Sequence, residues 1–329
     1  MKTKTQMGKA DAQSAVLTLR QRSKFTQFLV RFKKNWQLHA LVLIPLLYIF
    51  IFDFGPMYGL QIGFREFKPR AGIWHSEWVG LKHIINFVTA YNYGQLLWNT
   101  VAINLYQTFF TFPIPIFLAL MLHVNEHKWL VKITQNVTYV PHFISTVVMV
   151  GILNQVLSPV SGIVGNVYRA FGGIGLCPDI RASAAAFRHL YVWSGTWQGM
   201  GWATILYVAA LSGVSSDLHE AAELDGASRW DRVIHVDLPT ILPTIIIKFI
   251  MNFGSMMSVG YQKVYLMQND LNLATSEVIS TYIYKVGLGK MQMSFSTAVG
   301  IFNSIINTSL LFLANSFTRW LTSGEQGLF

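Results

Sequence analysis

Carboxylates gather in one place. Between Asp217 and Pro239 the chain holds six of its 15 acidic residues. The segment reads Glu220-Ala221-Ala222, then Asp225-Gly226, then Val236-x-Leu238-Pro239. Acids beside alanines on a short helix suit pairing with basic groups on another surface through charge-assisted hydrogen bonds. Covalent chemistry would need other residues: no serine sits in G-x-S-x-G, the nine histidines contain no H-E-x-x-H pair, and Cys177 is the single cysteine. No hydrolase constellation, disulfide framework or Cys-based metal cage is visible, so no catalytic or metal-ligating residue is assigned. A phosphate-binding loop is missing as well. The nearest fragment, Gly287-Leu288-Gly289-Lys290, has Tyr284 where G-x-x-x-x-G-K-[ST] requires its first glycine. The chain itself is therefore expected to bind no nucleotide.

A second set of side chains lies inside apolar stretches. Trp193, Trp197, Trp202 and Tyr207 could stack on the C–H faces of sugar rings, although indoles and phenols also belong at membrane interfaces and helix contacts. Asn252, Ser255 and Ser258 offer hydrogen bonds to hydroxyl groups or to neighbouring helices. Lys248 facing lipid would cost up to about 2.5–3.5 kcal/mol. It either turns toward a pore or partner, or snorkels to the nearby cytoplasmic surface. Gly195 and Gly199 form a G-x-x-x-G suited to close helix approach, and Pro113, Pro115 and Pro141 interrupt backbone bonding within apolar runs.

These groups must be positioned by a membrane protein. Of 329 residues 52% are hydrophobic and 12% charged, where a soluble domain carries about 25% charged residues. Such a chain cannot clothe itself for water. Six stretches reach the roughly 20 apolar residues a span needs: 38–60, 100–122, 133–157, 191–214, 241–261 and 295–317. The first and fifth carry the only formal charges among them, Asp53 and Lys248. Nine of the 25 basic residues precede Trp36, against one acid; this reads as a topology signal, placing both termini in the cytoplasm, rather than as a nucleic-acid-binding arm. Within that tail Phe25, Phe28, Leu29 and Phe32 recur at helical spacing among Arg20, Lys24, Arg31 and Lys34, which makes either an interfacial helix on anionic lipid or a disordered basic tail.

Span parity puts residues 217–239 in the cytoplasm. Locally they read as helix, break, helix: Asp217 can cap, Glu220 to Leu224 form helix well, Gly226 permits a sharp turn, and Pro239 ends the second segment. Leu224, Trp230, Val233 and Ile234 would lie on water unless a partner covers them.

The string Glu220-Ala221-Ala222, Asp225-Gly226, Val236-x-Leu238-Pro239 resembles the EAA loop of binding-protein-dependent ABC importers, with Val236 in place of the usual isoleucine. Phe54-Gly55-Pro56-Met57-Tyr58-Gly59-Leu60, Tyr139-Val140-Pro141-His142-Phe143-Ile144-Ser145 and Gly201-Trp202-Ala203-Thr204-Ile205 resemble the polysaccharide-type permeases of the LplB group, which includes alginate-importer subunits. The resemblance implies an all-α integral membrane protein with the type I ABC importer permease fold. It comprises a cytoplasmic tail (1–36), a six-span permease domain (37–322) and a short cytoplasmic C-terminal tail (323–329). It implies import of an oligosaccharide or polysaccharide through a bacterial plasma membrane. The expected partners are a second homologous permease chain, an extracellular or periplasmic solute-binding protein, and a cytoplasmic ATPase dimer that carries the ATP and magnesium and receives the loop in a groove. The rival readings are the same machine carrying a non-carbohydrate solute and a self-sufficient secondary carrier; the carrier lacks its expected internal repeats and paired membrane acids.

Overall fold

The computed structural model describes residues 32–322 and residue 327; the apolar positions 25, 28 and 29 of the basic tail and nearly all of 323–329 lie outside them. The six apolar stretches all become helical, because a chain with no water to bond must satisfy its amides internally. The helical runs are Trp36–Phe64, Tyr93–Val124, Arg229–Phe253 and Met293–Leu321, the bent pair Lys128–Phe143 and Thr146–Val156, and Ala184–Leu211. The first four, and the bent pair taken as one, are long and apolar enough to cross a membrane. Ala184–Leu211 spans 28 residues, but its Arg188, His189, Gln198 and tryptophans make it more polar than the others. The six expected spans thus meet four to five sufficiently apolar helices among the described residues.

Prolines shape the helical runs as their missing N–H requires. A π-turn, Gln107–Thr111, precedes Pro113. Pro141 lies in the 3-10 turn Val140–Phe143, just before the 102° bend. Of the close approaches expected at Gly195 and Gly199 the first is present, a Cβ at Gly195 coming within 2.9 Å of Lys263 Nζ, and the second is not. A Cβ at Gly199 would meet nothing, whereas one at Gly201 would collide with the Thr138 carbonyl. Gly201 is thus the residue that seats the bent pair against Ala184–Leu211.

The chain divides into two units, residues 1–60 and 61–329. In the first, the Trp36–Ile49 helix buries none of its side chains. The second contains three apolar cores. One joins Ile103, Phe187, Tyr191, Val192, Val259, Val264 and Val278; another joins Ala119, Leu120, Tyr207, Leu211, Val233 and Ile241; the third centres on Phe87, Leu96, Met257, Ile279 and Val299. A small departure from the all-helical expectation is an antiparallel ladder pairing Arg65 with Trp78 and Glu66 with Glu77. There Lys82 reaches Glu66 at 2.9 Å and holds its carboxyl below the usual carboxylate range. Buried Asn99 fixes the short helices after Met267: its amide donates to the carbonyls of Ala274 and Glu277, both at 3.0 Å, while Arg188 donates to its oxygen at 2.8 Å.

Candidate functional site

The acidic segment folds as a short helix, a tight reversal and the opening turns of the long run Arg229–Phe253. That run passes through Pro239 by a π-turn, Val233–Asp237, instead of ending there as expected, since the widened turn accommodates the proline's missing N–H. Ser215, rather than Asp217, caps Ser216–Leu224, its hydroxyl accepting from the Asp217 N–H. The helix closes where Gly226 takes φ +80°: its N–H donates to the Glu223 carbonyl at 3.0 Å and the Ala227 N–H to Ala222 at 2.9 Å. This double bond is the Schellman ending, and its left-handed residue is most easily glycine. Ser228 and Asp231 then form a capping box that starts Arg229–Arg232. Arg232 pairs with Glu223 across the turn, and Arg229 reaches Glu126 at 2.8 Å. Val233 inserts into the core beside Ile241, while Leu224, Trp230 and Ile234 face outward. Glu220 is exposed and, among the described residues, makes no ion pair. Asp225 is the C-cap residue, and Leu238 and Pro239 begin the long helix Leu238–Phe253.

The second candidate region is a pocket of about 320 Å³. Its walls come from three segments that pass from one apolar core to another: Ile103 to Ala119, Tyr191 to Leu211, and Ile241 to Val259. Between those anchors the side chains turn polar. Gln107, Thr108, Tyr207, Lys248, Asn252 and Ser255 line the cavity, and no carboxylate does. Lys248 therefore faces the pocket and makes no ion pair among the described residues.

The tryptophans do not join it. Trp193 donates to the Tyr106 hydroxyl at 2.9 Å, which in turn meets His189 at 2.7 Å. Trp193 and Trp197 line a separate, apolar cavity with Met149, Ile152 and Leu153. Trp202 stacks on His142, with centroids 4.5 Å apart and planes 4° from parallel. Of the six path candidates, Tyr207, Lys248 and Asn252 are brought together.

The structure also assembles a group that sequence spacing could not reveal. His123, in the last turn of Pro113–Val124, and His219, on Ser216–Leu224, converge on Asp237. Residues from three separate elements leave no local motif.

Comparison with known proteins follows this geometry closely. Residues 104–323 match the family model described as "Binding-protein-dependent transport system inner membrane component". The Bacillus subtilis polygalacturonan/rhamnogalacturonan transport system permease YteP is 34% identical over 99% of this chain and 100% of that protein. The protein LplB from the same organism is 34% identical over 93% of this chain and 95% of its own length. A chain of a bacterial transporter involved in import of the acidic polysaccharide alginate superposes with TM-score 0.81 at 32% identity, covering 90% of this chain and 99% of that one. A chain of a bacterial alginate transporter in complex with an alginate pentasaccharide-bound periplasmic protein gives TM-score 0.80 at 31% identity, over 91% and 98%.

Proposed function

The chain belongs to the family of binding-protein-dependent transport system inner membrane components, and we propose that it is the membrane subunit of an ATP-driven importer of uronate-bearing oligosaccharides. The observation that carries this reading is Lys248, a cation without a counter-ion among the described residues, in a pocket of amides and hydroxyls. Hydroxyl and amide groups exchange hydrogen bonds with sugar hydroxyls, and an ammonium attracts a carboxylate. The named substrates of the similar proteins, polygalacturonan, rhamnogalacturonan and alginate, include acidic polymers. Non-carbohydrate cargo and secondary transport find no comparable support.

In this reading a second homologous permease chain completes the path. An extracellular or periplasmic binding protein delivers the saccharide, and a cytoplasmic ATPase dimer docks on Ser216–Asp237 through Glu220 and the exposed Leu224, Trp230 and Ile234. Both termini and Glu220 face the cytoplasm in a six-span topology. Cysteine labelling in intact cells tests the orientation at positions 70, 220 and 285. Cys177 is buried and is first replaced by alanine. Labelling of position 220 from outside overturns the topology. Uptake into vesicles containing the reconstituted complex tests the cargo: acidic oligosaccharides enter and Lys248→Met slows them. Equal uptake of neutral oligomers, unaffected by Lys248→Met, overturns it.

A further inference from the structure

We propose that His123, His219 and Asp237 bind one divalent metal ion of the zinc class, pinning the acidic loop to the helices on either side of it. Asp237 is fully buried, and neither of its carboxylate oxygens has a hydrogen-bond partner. A carboxylate in that position needs a cation. Two imidazole nitrogens face the same oxygen: His219 Nε2 at 3.1 Å and His123 Nε2 at 3.5 Å from Asp237 Oδ1. Neither meets it in hydrogen-bond geometry, and His219 Nε2 is itself buried without a partner. The three ligand atoms lie within 4.8 Å of one another. The two nitrogen–oxygen separations bracket the ~3.3 Å edge of a tetrahedron with ~2.0 Å metal–ligand bonds, and the broad χ2 freedom of histidine lets the rings close on a common centre.

The surrounding charge favours a cation. The cavity, about 250 Å³, is lined also by Glu126, Glu223, Arg229 and Arg232. The two arginines are already paired with the two glutamates, so with neutral imidazoles Asp237 leaves one uncompensated negative charge. Two nitrogens and one carboxylate oxygen suit zinc, cobalt or nickel better than calcium or magnesium, which prefer all-oxygen shells. Solvent or Glu223, one helical turn after His219, completes the coordination. The metal joins the end of Pro113–Val124, the helix Ser216–Leu224 and the start of Leu238–Phe253. Removing it loosens the loop without altering the pocket around Lys248.

The test uses the assembled transporter, purified on a tag free of histidine, stripped with chelator and recovered by size exclusion so that only folded complex is counted. After equilibrium dialysis against Zn²⁺, metal per complex is compared between wild type and the His123→Gln/His219→Gln pair. Wild type retains one more equivalent than the variant, and Asp237→Asn binds more than about 10-fold more weakly. Co²⁺ loaded into wild type alone gives the visible absorption bands of a low-coordinate nitrogen–oxygen site, a readout that requires no variant. Equal metal content in wild type and the double variant, or Co²⁺ bound with only the spectrum of the hydrated ion, overturns the proposal. Neither measurement depends on which solute is carried, so its failure leaves the import reading untouched.

Discussion

The loop Ser216–Asp237 and the pocket around Lys248 are held by different kinds of interaction. Much of the loop is fixed by partners within nine residues: the Ser215 cap, the Gly226 reversal, the Ser228–Asp231 box and the Arg232–Glu223 pair. The pocket's local bonds, such as Thr108 to the Asn104 carbonyl, stay within one helix and do not join its walls. Asn104, Tyr207 and Lys248 meet only because three helices are pinned by apolar cores on both sides of the cavity. A reversal built from local bonds can keep its own shape while the run it opens, Arg229–Phe253, carries it along. A pocket whose walls belong to separate helices must change shape whenever those helices move. That division suits a machine in which one surface receives a motor and another holds cargo.

The comparison is broken most severely inside the pocket. Lys248→Glu replaces the attracting charge with a repelling one in the pocket, and such reversals cost about 2–5 kcal/mol or more. Uptake of an acidic oligosaccharide into vesicles should fall at least ~30-fold, while the ATPase still copurifies with the complex. Loss of the ATPase along with uptake would mean that pocket and loop are not separable.

Next in size is the loop's exposed acid. Glu220→Lys reverses a charge at the proposed docking surface, where a charge-assisted hydrogen bond contributes roughly 1.5–3 kcal/mol. ATPase recovered with the purified complex should drop by about 10-fold or more, with membrane insertion normal because the residue lies on a short exposed helix. Unchanged copurification with full transport would make the segment a passive linker.

The same contrast explains what could be read in advance. The first helix and the Gly226 reversal are legible because their information is sequential, a glycine at a helix end with helix formers before it, whereas Pro239 reads as a stop and instead lies inside the continuous run Arg229–Phe253. The cap was misplaced by two residues, Ser215 for Asp217, since both are good caps and only the chain's exit from the preceding helix decides between them. The alternatives for Lys248 could not be separated from sequence, because the direction a side chain takes from a helix acquires meaning only when neighbouring helices are in place. For Trp193 and Trp202 the sequence leaves sugar stacking beside interface and helix-contact roles, and within the fold a tyrosine hydroxyl and a histidine ring engage them. Gly195 admits Lys263, Gly201 admits the Thr138 backbone and Gly199 admits nothing, for the same reason: close approach depends on which neighbour arrives. His123, His219 and Asp237 carry no spacing signal.

Gly226→Val sharpens the comparison from the loop side. At φ +80° an L side chain costs roughly 1–2 kcal/mol, and a β-branched one is worse placed still. The helices on either side would be re-aimed rather than unfolded. Transport and binding-protein-stimulated hydrolysis should both fall about 10-fold, with ATPase still bound more fully than in Glu220→Lys. Normal stimulation would show that the reversal's geometry is unimportant to coupling.

The smallest effect is expected from the tryptophans. Trp197 lines the apolar cavity with Met149 and Ile152, and Trp202 is engaged with His142, so neither contributes to the Lys248 pocket. Trp197→Leu should leave the half-saturating oligosaccharide concentration for uptake within about 2-fold, since it exchanges one apolar surface for another. Trp202→Leu loses a stacked pair worth about 0.5–1.5 kcal/mol and should lower the thermal midpoint of the purified complex while uptake affinity holds. The two readouts separate packing from recognition. A rise of about 10-fold in the half-saturating concentration with an unchanged midpoint would correspond to about 1.4 kcal/mol of lost saccharide binding. It would extend the cargo path from Lys248 to the aromatic face of Ala184–Leu211.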